Sequence, residues 1–236
     1  MTTPLQLFDI LFTSLGPQHW WPGETPFEIA VGAVLTQNTA WSNVDKAIAS
    51  LKAAHAMTAT DLLILSESDL QRAIRPAGYY RVKARYLRTL AAWIDRRAGG
   101  DLSTLASEDV RSLRSELLAL RGVGKETADS ILLYAIGKPA FVVDAYTRRI
   151  TASLRLLPEN ATYDATQQYF TTRLPDDARL FNEFHALLVR LAKDHCRTRS
   201  VCRACPLEQR CPSADISSMA AHAVNARTGS ERRLVP

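Results

Sequence analysis

The chain has 236 residues, 47% hydrophobic and 22% charged, a soluble globular composition that excludes a disordered or collagen-like chain. Its 29 Lys and Arg against 24 Asp and Glu give a formal charge of +5, which permits a polyanionic partner without requiring one. No apolar run approaches the ~18 residues of a membrane span. The first 45 residues lack Lys and Arg, so neither a basic secretory leader nor an arginine-rich transit peptide is expected, and the cytoplasm (the nucleoid, in a bacterium) is the expected location, with no membrane partner.

Helical punctuation dominates the chain from its N-terminal part onward. Thr25-Pro26-Phe27-Glu28 sets a capping Thr, a first-turn Pro and a third-position Glu in register, and Phe27, Ala30, Val31 and Val34 follow as a helical stripe. Ser66-Glu67-Ser68-Asp69 forms a second cap, ahead of Leu70, Ala73 and Ile74. Arg96 to Ser103, with Gly99-Gly100-Asp101, reads as a loop. Val110, Leu113, Leu117 and Leu120 line one helical face. Lys125 to Ile136 forms the next helix, stopped by Gly137 and Pro139. Phe141-Val142-Val143 is the best strand candidate and is too short to require a sheet. Phe184, Leu187, Leu188 and Leu191 mark a late helix that leads into the cysteines. The pattern predicts an all-α protein of roughly ten short helices, with a weakly periodic and partly disordered tail after Cys211.

Three places carry chemistry. All four cysteines fall in one stretch, Cys196-x5-Cys202-x2-Cys205-x5-Cys211. In a cytosolic chain this clustering favours metal over disulfides. Zinc and a cubane iron–sulfur cluster both take four thiolates, and the spacing does not separate them. Arg197, Arg199, Arg203 and Arg210 interleave the ligands and suggest a phosphate-contacting surface. The second place is Leu120-Arg121-Gly122-Val123-Gly124-Lys125, between two amphipathic helices. Two glycines let the backbone turn tightly, Val123 pins the turn, and the next helix starts with free N–H groups, an anion site built from backbone. The third is Asp144, which ends the apolar run and precedes a new helix. It reads as an N-cap, and a cap can also serve as base or charge stabiliser.

These three features, in this order, resemble the helix–hairpin–helix DNA glycosylases of the endonuclease III superfamily, over about Phe8 to Cys211. The resemblance implies two helical domains with DNA across the cleft between them: residues 24–138 with the hairpin, and 1–23 with 139–213 carrying the cysteine loop, leaving 214–236 as a tail. It implies a [4Fe-4S] cluster on Cys196, Cys202, Cys205 and Cys211, with zinc the alternative, although the family pattern has x6 where this chain has x5 between the first two. It implies double-stranded DNA with a damaged base as partner of a monomeric protein. Asp144 matches the catalytic carboxylate. Gly122, Val123 and Gly124, followed by Lys125, match the phosphate-binding hairpin. Gln37 matches the side chain that fills the gap left by the extruded base. Gly78 and Lys83-Ala84 match a segment near DNA, so Lys83, with Arg203 and Arg210, is expected at phosphates.

Two departures narrow the activity. Strand-cutting relatives carry a Schiff-base lysine two residues after the second hairpin glycine; that position is Glu126 here, and Lys125 is rotated ~100° from it around the helix. The adenine-mismatch branch has a glutamate where this chain has Gly32. What remains resembles the endonuclease III-like 3-methyladenine DNA glycosylases, which share Lys125-Glu126, Trp20-Trp21-Pro22 and Gly32 to Thr39. An alkylated purine is cationic and leaves without a general acid, and Trp20 and Trp21 offer faces to stack on it. The best-known members of that branch lack the cluster cysteines. The expected activity is therefore a monofunctional DNA N-glycosylase of base excision repair. The alternatives are a bifunctional glycosylase/lyase for oxidised pyrimidines and a non-catalytic DNA-binding module.

Overall fold

A computed structural model describes residues 2–20, 23–197 and 201–214. The protein is all-helical, and no strand occurs among the described residues. In chain order the α-helices are α1 (Pro4–Leu15), α2 (Pro26–Leu35), α3 (Trp41–Ala53), α4 (Ala59–Ile64), α5 (Glu67–Ala73), α6 (Tyr80–Ala98), α7 (Val110–Ala119), α8 (Lys125–Ser130), α9 (Ala145–Ser153), α10 (Tyr163–Thr171) and α11 (Ala178–Asp194). They fall into two compact units, one of residues 20–142 with 176–182 and the other of residues 1–19, 143–175 and 183–236.

The larger unit is built around α2. Thr25 caps it by accepting from the Glu28 N–H, Pro26 occupies the first turn, and every residue from Phe27 to Leu35 except Ile29 is buried. A helix buried on nearly all sides belongs at the centre of a helical layer. The 19-residue α6 turns Ala84, Leu87, Leu90, Ala91 and Ile94 inward. It runs to Ala98, and Leu102–Ser107 forms a 3-10 helix, so the loop expected over Arg96–Ser103 shrinks to Gly99–Asp101. Helices α7 and α8 form a hairpin locked by an ion pair: Arg114 donates from Nε and Nη2 to Asp129 at 2.7 and 2.9 Å, and Asp129 is fully buried. The expected helix from Lys125 to Ile136 is present, with its second half, Ile131–Ile136, wound as a π-helix and stopped at Gly137 with φ +80°. Phe141 and Val142 are buried in a stretch without regular secondary structure, and Phe141 meets Phe181 edge-on at 5.3 Å.

The smaller unit contains α1, α9, α10, most of α11 and the cysteine loop. Its core is aromatic. Phe184 of α11 meets Phe8 of α1 and Phe170 of α10, both edge-on at 5.6 Å. That geometry suits the ring quadrupoles and adds about 0.5–1.5 kcal/mol per pair to the burial itself. Residues 215–236, where tail disorder is expected, lie outside the described residues. No helix among the described residues is long and apolar enough to cross a membrane.

Candidate functional site

Asp144 caps α9, as the sequence suggests, and the buried Val143 holds the chain just before it. Its two carboxylate oxygens have different surroundings. Oδ1 accepts from the Thr147 N–H at 2.7 Å and the Thr147 hydroxyl at 2.9 Å. Oδ2 lies 3.6 Å from Nε2 of His185, a residue of α11 only 5% exposed. Burial pushes the Asp144 carboxyl up, but His185 and the two Thr147 donors more than offset this, so the group titrates below the usual carboxylate range. Asp144 is ionised at neutral pH, and its side chain keeps 14% exposure to whatever approaches it.

The C-terminal end of α9 meets the cysteine loop. Cys196 Sγ is 3.8 Å from the Ser153 hydroxyl, and Cys211 Sγ is 3.6 Å from the Ser153 carbonyl. Arg149 donates to the Cys196 carbonyl at 2.7 Å. Cys196, Cys202, Cys205 and Cys211 line one cavity with Ile150, Leu154, Leu191 and Leu207, and none is in a disulfide. Burial pushes the Cys205 and Cys211 thiols up, and the other cysteines add to the shift. Four thiolates in an apolar cavity repel one another, so a cationic centre is what makes the deprotonated set favourable. Among the described residues no three His, Cys, Asp or Glu side chains are gathered as ligands of a single ion.

In the larger unit the hairpin turns at Gly122, whose φ is +92°. The Tyr86 ring lies against it, and a Cβ there would fall 2.1–2.4 Å from the ring carbons. Val123 is 6% exposed and Gly124 begins α8 with open space around it. The first amides of a helix have no intrahelical partner and point outward. Gln37 reaches this turn: its Nε2 donates to the Gly122 carbonyl and the Thr127 hydroxyl, both at 2.9 Å. The loop that carries Gln37 and the hairpin are therefore joined within one unit.

Lys83 requires a correction. It is 2% exposed, and its ammonium donates to Leu35 O, Ala77 O and the Thr39 hydroxyl at 2.8–2.9 Å. Its charge is committed to the loops that carry Gln37 and Gly78, not displayed to phosphate. Burial pushes its pKa down to about 8. Lys125, Glu126, Arg203 and Arg210 are all exposed. Trp20 is half-buried, while Trp21 and Arg199 lie outside the described residues.

Sequence reasoning missed His185, Thr147, Ser153 and Tyr86. Thr147 had a signal, since a capping Asp accepts from the residue three positions on. His185 had a weaker one, a polar residue within the apolar stripe Phe184 to Leu191. Ser153 and Tyr86 had none, since both act through contacts distant in sequence.

A family model described as the HhH-GPD superfamily base excision DNA repair protein matches residues 31–176. A Methanocaldococcus jannaschii protein, provisionally named a DNA repair glycosylase, is 43% identical over 209 residues, covering 88% of this chain and 95% of its own. The Helicobacter pylori 3-methyladenine DNA glycosylase bound to 1,N6-ethenoadenine superposes with a TM-score of 0.70 at 30% identity, covering 81% of this chain and 97% of that one. An endonuclease III in a non-covalent DNA complex superposes with a TM-score of 0.78 at 24% identity, over 93% and 100% of the two chains, and shows the shared fold.

Proposed function

The chain belongs to the HhH-GPD superfamily of base excision DNA repair proteins, and from that premise we propose that it is a monofunctional DNA N-glycosylase excising an alkylated base, such as 3-methyladenine, from duplex DNA. One observation supports the reading: Asp144 is held ionised and partly accessible, and Glu126 stands two residues after the second hairpin glycine, the position a lysine takes in the strand-cutting enzymes this chain resembles. A fixed carboxylate beside the sugar stabilises the cation that forms as the C1′–N bond breaks and its electron pair leaves with the base. Water then adds through oxygen to C1′ and loses a proton, with Asp144 orienting it. Glu126 has no amine for a Schiff base, so the strand stays intact. A cationic alkylated purine leaves without a general acid, in keeping with Gly32 where the adenine-mismatch branch has a glutamate. Trp20 and Trp21 would stack on it, and the exposed Arg203 and Arg210 and the hairpin amides would meet phosphates.

Cys196, Cys202, Cys205 and Cys211 would hold a [4Fe-4S] cluster, which supplies a rigid fastening for the loop. The likeness to endonuclease III-like proteins supports this over zinc. The purified protein should be brown and contain iron and acid-labile sulfide. A colourless protein with one zinc per chain would overturn the cluster assignment.

The activity test uses purified protein and duplexes with single lesions. The expected result is release of a free alkylated purine, an abasic site that breaks only on alkali or heat, and no adduct trapped by borohydride. Efficient trapping, lost in Lys125→Ala, would instead make the enzyme a bifunctional glycosylase/lyase. Binding without release of any base would make it a DNA-binding module.

A further inference from the structure

We propose that His185 is a positioning residue for base excision: the polar edge of its imidazole, with Nε2 3.6 Å from Oδ2 of Asp144, holds that carboxylate in aim at the reacting sugar without touching the substrate. The inference rests on the reading of Asp144 as the carboxylate that stabilises the sugar cation.

The cap leaves a geometric gap that His185 closes. Both Thr147 bonds converge on Oδ1. They restrain the planar carboxylate from one side only, about a terminal torsion that is broad rather than confined to a staggered well. A second contact from a separate element narrows the swing that remains. His185 supplies it from α11, at 3.6 Å from Oδ2. The imidazole is itself largely enclosed: His185 is 5% exposed, on a helix where Phe184, Ala186, Leu188 and Val189 are also buried. A side chain this enclosed acts through Asp144.

The choice of residue fits the electrostatics. The sugar cation is stabilised by net negative charge at Asp144. A permanent cation against Oδ2 would cancel that charge, as Arg114 does at Asp129 in the hairpin. A single imidazole nitrogen at 3.6 Å meets Oδ2 less closely than a paired guanidinium would, so it orients the carboxylate and leaves more of its charge available. A leucine of similar bulk would fill the space but orient nothing.

The test compares His185→Leu with His185→Gln, whose amide nitrogen reaches about as far as Nε2. Measurements are the single-turnover rate constant for base release, the affinity for DNA containing an uncleavable abasic analogue, and the thermal midpoint. Base release should fall ~10²-fold in His185→Leu, the size of effect that a misplaced catalytic group produces. DNA affinity should hold, and His185→Gln should recover most of the rate. In an Asp144→Asn background, His185→Leu should add little, because the group it aims is already lost. The inference is overturned by a normal rate in His185→Leu, by equal losses in both backgrounds, by a parallel loss of DNA affinity, or by a folded His185→Gln that is as slow as the leucine variant. Failure of the wild type to release any base, or full activity in Asp144→Asn, would overturn the reading of Asp144 itself and the inference with it.

Discussion

Two buried aspartates, one in each unit, are treated in opposite ways. Asp129 in the hairpin is fully buried and gripped by two nitrogens of a planar guanidinium. Asp144 at the start of α9 keeps a little exposure and has a backbone amide, a hydroxyl and an imidazole for neighbours. The first arrangement cancels charge and fixes two helices; the second fixes the carboxylate and preserves its charge. Lys83 is a third case, a buried cation whose acceptors are two carbonyls and a hydroxyl. A buried charge is thus put to structural use when a paired guanidinium grips it, and stays open to its surroundings when separate single contacts hold it. Lys83 shows the limit of that rule, since its neighbours enclose it completely.

The largest expected effect separates the aspartates by what they change. Asp144→Asn keeps size and capping geometry and removes the charge, so base release should fall ~10²–10⁴-fold while the thermal midpoint barely moves. Asp129→Asn should do the reverse. Breaking a buried ion pair on one side leaves the other charge uncompensated, at a cost of about 3–5 kcal/mol. Activity per folded molecule should survive, as urea unfolding and active-site titration together would show. Loss of excision without loss of stability in Asp129→Asn would abolish the contrast.

The smallest expected effect concerns Lys83. Its pKa of about 8 in the folded protein stands against an ordinary value of 10.5. Between those values the unfolded chain keeps a proton that the folded chain has released, so Lys83 makes stability rise as pH rises from about 8 to 10.5. The contribution reaches at most about 1.4 kcal/mol per pH unit. The difference in unfolding free energy between the wild type and Lys83→Met should therefore vary with pH in this window and be flat below it. A difference independent of pH throughout would mean that the ammonium keeps its proton in the folded protein, and that the loops rest on packing rather than on its charge state.

What the sequence revealed was local. The caps at Thr25, Ser66 and Asp144 are legible because the donor and acceptor lie three residues apart. The hairpin is legible because its glycines bracket one apolar residue. Lys83 was misread because a basic, aromatic segment looks the same whether its lysine faces solvent or the core; the answer depends on which face of α6 packs inward. His185 was missed because it is 41 positions from the carboxylate it meets, and a helical stripe does not say what lies opposite. The π-helical turn of Ile131–Ile136 left no mark, since its sequence suits an ordinary buried helix equally well.

The two glycines of the hairpin look equivalent as letters and are not. Gly122 is closed to every other residue twice over, by its positive φ and by the Tyr86 ring where a Cβ would go. Gly124 has φ −89° and empty space where a side chain would begin. Nothing in the folded chain asks for glycine there. A population of variants selected for folding alone would keep Gly122 and drift at Gly124, and one selected for survival of damaged genomes would keep both. The divergence between those two spectra would mark where the requirement of the protein ends and that of its ligand begins.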